Sequence, residues 1–135
     1  NFCSTEGFSD ERFLFTYKHK LANGLILEIE TDISKEDYDL AWADCSHKLI
    51  KNRYYFPFEE YIWEFDCFRD KKGKTYLMLA ECEVDPAKGR PNTLHPHVVA
   101  HCVYSVEEND KRFANRKLGN PAWIKKVSKD LGFSI

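Results

Sequence analysis

Apolar and polar residues alternate with a period of two through most of the first two-thirds of the chain, the spacing that sorts the two classes onto opposite faces of β-strands. The first such run is Phe13 to Lys20. Ala22-Asn23-Gly24 then supplies a turn, and Leu25 to Thr31 reads as the hairpin partner. Ser34, with Asp37 three residues on, opens a helix in the manner of a capping box, and Tyr38, Ala41, Trp42 and Cys45 mark its apolar stripe. A strand is predicted from Leu49 to Phe56, ended by Pro57. Tyr61 to Phe68 is the next, and Lys71-Lys72-Gly73 turns the chain into Tyr76 to Val84, a second hairpin. Asp85 to Pro96, with three prolines and a glycine, reads as loop, and Val98 to Ser105 as a last strand. A short helix is predicted around Asp110 to Leu118, closed by Gly119. Asn120 and Pro121 then form an N-cap and N1 pair for a final helix with Trp123, Ile124, Val127 and Leu131 on one face and Gly132 as its stop.

The two faces of each strand carry the chemistry. Lys18 and Lys20 oppose Phe13, Phe15, Tyr17 and His19; Glu28 and Glu30 oppose Leu25, Leu27 and Ile29. Lys51 and Arg53 oppose Ile50, Tyr54 and Phe56; Glu64 and Asp66 oppose Tyr61, Trp63, Phe65 and Cys67; Glu81 and Glu83 oppose Tyr76, Met78, Ala80 and Cys82. One reading is a half-solvated antiparallel sheet with its charges in water. The other is a sheet curled into a barrel, charged face inward and apolar face covered by helices. The second is favoured by Leu14, Ile26, Ile62, Phe68, Leu77 and Leu79, which share the charged faces, and by segregation of sign along the chain: basic on the first and third strands, acidic on the fourth and fifth. Acidic pairs opposite basic pairs suit a divalent cation bridging carboxylates and a phosphate chain.

Composition narrows the class. The 135 residues fit one ordinary domain, and ten Phe, seven Tyr and three Trp exclude a disordered chain. No apolar run approaches the roughly 20 residues of a membrane-spanning helix. The net charge of −2 gives no general attraction to nucleic acid, so an anionic ligand must be held by a local cluster. The five cysteines (Cys3, Cys45, Cys67, Cys82 and Cys102) are odd in number and form no CxxC, a usage that points to a reducing, cytoplasmic setting. The sequence opens on Asn1 without a signal-peptide pattern, so residue 1 is not taken as the natural start. His95, His97, His101 and Cys102 have spacing that does not suit a zinc site.

Six segments in order resemble the CYTH, or triphosphate tunnel metalloenzyme, family. They are Phe15-Thr16-Tyr17-Lys18, Leu27-Glu28-Ile29-Glu30, Lys51-Asn52-Arg53-Tyr54, Trp63-Glu64-Phe65-Asp66-Cys67-Phe68, Leu79-Ala80-Glu81-Cys82-Glu83, and Asn109 to Leu118. They are similar to the family's T-x-K, alternating-glutamate, K-x-R-Y, E-x-D-x-F, L-x-E-x-E and closing D-x-R-Y-x-N-x-x-L patterns. The family's opening E-x-E-x-K and R-x-R strands are not found. Either residues 1 to 11 are an expanded hairpin loop with those strands upstream, or the barrel is shortened and degenerate. A shortened barrel leaves a strand edge that invites pairing with a second copy.

The resemblance implies a mainly antiparallel α+β domain over 1–135, a β-barrel or tunnel or a strongly curled sheet with helices outside. It implies a divalent-metal-dependent domain that binds, and hydrolyses, a nucleoside, thiamine or inorganic triphosphate. Glu64, Asp66, Glu81 and Glu83 would face Mg²⁺ or Mn²⁺; Lys18, Glu28, Lys51, Arg53 and Arg112 would contact substrate; and Glu81, Glu83 and Lys51 would serve catalysis. The alternative is a binding or interaction module of the same fold without hydrolase activity.

Overall fold

The computed structural model describes residues 11–84, 87, 89–107 and 110–134. The proposed loop at the start of the chain and Asn109 thus lie outside the described residues, apart from Glu11. The chain divides into two compact units that meet in sequence between Lys48 and Leu49.

The first unit holds β1 (Leu14–Lys20), β2 (Ile26–Asp32) and α1 (Lys35–Asp44). Gly24 at φ 86° makes the turn that a β-carbon would strain, and Asn23 Oδ1 accepts the Leu25 N–H at 3.1 Å to close it. This turn sets the antiparallel register that places Lys18 opposite Glu28 and Thr16 opposite Glu30. Ser34 caps α1 by accepting the Asp37 N–H at 3.0 Å, and its hydroxyl donates to the Asp37 carboxylate at 2.9 Å. Of the expected stripe on α1, Tyr38 meets the Phe13 ring at a tilt and stacks on Trp42, with ring centroids 5.0 and 6.0 Å away.

The second unit is built on β3 (Ile50–Phe58), β4 (Tyr61–Arg69) and β5 (Thr75–Cys82), an antiparallel sheet in that order. β3 continues through Pro57 instead of stopping before it. It is an edge strand among the described strands, where a missing N–H is tolerated. The Glu59-Glu60 turn that follows places Arg53 opposite Asp66 and Tyr55 opposite Glu64. Asp70 shapes the next turn, its Oδ1 accepting the N–H groups of Lys72 and Lys74 at 2.8 and 2.9 Å.

Val98 to Ser105 is not a strand. Pro96 sits in the first turn of a short helix, α2 (Pro96–His101), where its fixed φ suits a helix and its absent N–H costs nothing. The segment expected as one helix before Gly119 is a 3₁₀ turn (Lys111–Phe113) and α3 (Asn115–Leu118), interrupted at Ala114. α4 (Pro121–Leu131) forms as its caps dictate: Asn120 Oδ1 accepts from Ala122 and Trp123, and Gly132 closes it at φ 76°.

The fold is therefore mainly antiparallel sheet with a few helices. The described strands lie in two separate sheets, and no closed barrel or strongly curled sheet is found among them. The layering of the second unit also differs from the expected one. Phe68 and Leu77, on the charged face of the sheet, pack with Leu118 and Ile124 of α3 and α4 into the buried core. Helices thus cover one end of the charged face. One end of the apolar face is covered by His95, the residue that caps α2, whose ring lies against Phe56, Phe58, Trp63 and Phe65, while Ile50 and Met78 of the same face are exposed.

Candidate functional site

The charged face of the three-stranded sheet gathers five of the residues singled out in the sequence. Strand alternation puts Lys51 and Arg53 on one face of β3, the hairpin register brings that face level with Glu64 and Asp66 of β4, and Glu81 of β5 stands opposite Glu64. Asp66 is the hub, with only 1% of its surface exposed. Arg53 grips it with a two-bond fork, Nε to Oδ1 and Nη2 to Oδ2, both at 2.7 Å, and Lys51 Nζ donates to Oδ2 at 2.5 Å. Arg53 also pairs with Glu64 through Nη1 and reaches Glu81 at 3.5 Å through Nη2. The Lys51 ammonium lies 5.8 Å from the centre of the Phe68 ring, where the site meets the apolar core.

Two opposed effects set the charge states. Burial pushes the Asp66 carboxyl up, but the hydrogen bonds and charges of Arg53 and Lys51 outweigh it and hold the group below the usual carboxylate range. The Arg53 guanidinium is raised further, chiefly by its bond to Asp66, and stays charged at every accessible pH. The cluster carries two cations and three carboxylates, a surplus of one negative charge.

The remaining expected site residues stand apart from this cluster in their contacts. Lys18 pairs with Glu28 at 3.0 Å within the first unit, and both side chains keep about half or more of their surface in water. Arg112 is occupied by Asp110, to which Nε and Nη2 donate at 2.6–3.0 Å, and by the Tyr104 hydroxyl at 3.1 Å. Glu83 follows the end of β5 and is exposed.

A resident metal does not fit these groups. Both oxygens of Asp66 are committed to Arg53 and Lys51, Glu64 is paired with Arg53, and no group of three or more His, Cys, Asp or Glu among the described residues is arranged to hold an ion. The pairing of Asp66 with its two cations was legible only in part. Alternation put Glu64 and Asp66 on one face of their strand and Lys51 and Arg53 on one face of theirs. A strand ending at Phe56 left the register open, and it is the two-residue turn at Glu59-Glu60 that sets Arg53 opposite Asp66. The aromatic surroundings of His95 had no comparable signal, since they join residues some 30 positions apart through a loop.

Compared with protein-family models, with curated proteins and with solved structures, the chain matches none. No helix among the described residues is long and apolar enough to cross a membrane.

Proposed function

We propose that the charged face of the three-stranded sheet binds a triphosphate-type anion that arrives with its own divalent cation. The observation that carries this is the convergence of Lys51 and Arg53 on one buried carboxylate, which holds two cations side by side with about a quarter of each side chain still exposed. Lys51 spends one of its three N–H donors on Asp66, leaving two for phosphate oxygens. The surplus negative charge repels a bare polyanion, so the ligand this face suits is a magnesium or manganese complex, with the half-exposed Glu81 and the neighbouring Glu83 toward the cation. The CYTH resemblance points to the same ligand class and adds hydrolysis. The closed tunnel of that family would require more strands joined in one hydrogen-bonded ring.

A second reading is a binding or interaction module without hydrolase activity. It is favoured by the engagement of Asp66, whose two oxygens already accept three hydrogen bonds from Lys51 and Arg53 and are buried from water. Titration calorimetry with inorganic tripolyphosphate, with and without Mg²⁺, tests the binding. The expected result is Mg²⁺-dependent binding that Arg53→Gln abolishes, and that Glu81→Gln with Glu83→Gln abolishes while the chain stays folded. Metal-independent binding unchanged in both variants would overturn the proposal. Orthophosphate release from bound tripolyphosphate separates the hydrolase from the module.

A further inference from the structure

The other face of the same sheet carries a titratable group in an unusual setting. The His95 side chain is buried, with 8% of the residue exposed, and its ring lies 5.2–6.3 Å from the ring centres of Phe56, Phe58, Trp63 and Phe65. It caps α2 from this position, Nδ1 accepting the backbone N–H of His97 at 3.2 Å, while its carbonyl accepts from Val98 and Val99 at 2.8 and 3.1 Å. One residue thus both anchors α2 to the sheet and starts the helix.

We propose that His95 is an acid-sensitive latch: its protonation releases α2 and the residues leading into it from the aromatic face of the sheet. The neutral ring is the form this site holds. A proton on Nδ1 would turn the acceptor into a donor aimed at another donor, and the cap would be lost. The ring faces of the cage attract a cation, but they do not replace that acceptor. Among the described residues no carboxylate pairs with the ring to compensate. The titratable and charged side chains of α2 and of the same face of the two strands are His97 and His101 of α2, Tyr54 of β3, and Tyr61, Cys67 and Arg69 of β4, while Lys51, Arg53 and Tyr55 of β3 lie on the opposite face. Glu59 and Glu60, in the turn between those strands, are exposed. The acidic residues of β4 all lie on the opposite face. His97, stacked at 5.3 Å, opposes a second positive charge beside it.

Burial, seconded by His97, places the His95 pKa below the ordinary imidazole value of 6.5. A group whose folded pKa is depressed supports the docked state fully above its free value and loses that support as pH falls below it. Docking of α2 is therefore firm above about pH 6.5 and weakens on acidification. The latch is independent of what the charged face binds.

Amide hydrogen exchange at pH 7.5 and 5.0, corrected for intrinsic rates, tests this. The reporters are the N–H groups of Val98 and Val99, which bond to His95, and of Cys102, which bonds to Val98 at 2.8 Å. Their opening should become up to about thirtyfold more populated at pH 5, the factor by which an ordinary imidazole favours its charged form there, while the amides of β3 and β4 keep their protection. His95→Asn retains a capping oxygen without a titrating ring, and should show α2 protection that does not change with pH. Equal acid loss in that variant, parallel loss throughout β3 and β4, or no loss in the native chain would each overturn the proposal. Should His95→Asn not fold, imidazole resonances followed in the same native samples decide. A His95 inflection coinciding with the loss of α2 protection supports the latch, and one that does not coincide overturns it.

Discussion

Two cross-strand ion pairs in this protein share one sequence grammar and differ in almost everything else. Lys18 faces Glu28 across β1 and β2 at 3.0 Å, and Arg53 faces Asp66 across β3 and β4 at 2.7 Å. The first pair is 63% and 47% exposed in its side chains, the second 29% and 2%. Alternation determined which face each residue took in both cases. What it did not determine was whether that face would be dry. In the second unit the drying comes from residues late in the chain: Leu118 and Ile124 close over Phe68 and Leu77, two positions along the same face from Asp66. A charge pair acquires structural weight from the apolar cover beside it, because an exposed pair gains little in water while a buried carboxylate left alone is costly.

The largest effect should come from removing that cover. Phe68 has no exposed surface, so Phe68→Ala should cost about 3–5 kcal/mol, read as a lowered urea midpoint for the second unit. It should also admit water to Lys51, which lies over that ring, so the loss should grow with added salt. A salt-independent loss would mean that the ring supports the core alone and does not shield the ion network.

Next comes the hub. Asp66→Asn leaves Lys51 and Arg53 without the carboxylate they share, and should cost about 2 kcal/mol, below the range for a fully buried pair because both cations remain partly in water. The native chain carries the same information in its pH dependence. The Asp66 carboxyl is held below its free value of 3.8, so it stabilises the folded state fully above that pH and loses the contribution as pH falls through the lowered value. Asp66→Asn should flatten this acid limb. An unchanged limb would assign the acid sensitivity to other carboxylates.

These two residues also mark how far the sequence could be read. The strands of both hairpins, Ser34 as a cap, and Asn120 and Gly132 at the ends of α4 followed from local rules of alternation, turn geometry and capping. The assignment of Glu64, Asp66 and Glu81 to one face followed too, since it needs only period two and a hairpin register. Three features were not legible because they depend on tertiary partners. Val98 and Val99 have strand propensity, yet Pro96 and the His95 cap initiate a helix there, helped by a ring that docks on a sheet some 30 residues back. The covering of the charged face by α3 and α4 could not be seen in the strands themselves. The division into two sheets, in place of one curled surface, is a matter of which edges find partners, and strand patterns alone leave edges unassigned.

A smaller effect tests whether the helical cover is held in place from its own end. Asn120 Oδ1 satisfies two backbone donors at the start of α4, the helix that brings Ile124 to the core. Asn120→Ala should cost about 1 kcal/mol, while Asn120→Ser or Asp should restore most of it. Thermal unfolding of the three variants makes the comparison. If Ser and Asp fail to rescue, the contribution of Asn120 is not that of a cap.

The smallest predicted effect is the one that closes the comparison from its exposed side. Lys18 and Glu28 satisfy the same cross-strand geometry as Arg53 and Asp66, but water competes for both partners and two long side chains must be ordered to keep the contact. A double-mutant cycle of Lys18→Ala and Glu28→Ala should therefore give a coupling of no more than about 0.5 kcal/mol, vanishing in molar salt. The cycle isolates the pair from the propensity and packing changes that each alanine brings on its own, which single substitutions at exposed strand positions cannot do. A coupling as large as that between Arg53 and Asp66, surviving in salt, would show that the first hairpin holds its charges in surroundings as dry as those of the second unit. The distinction between the two pairs would then rest on partner number alone: Asp66 has two cations and Glu28 has one.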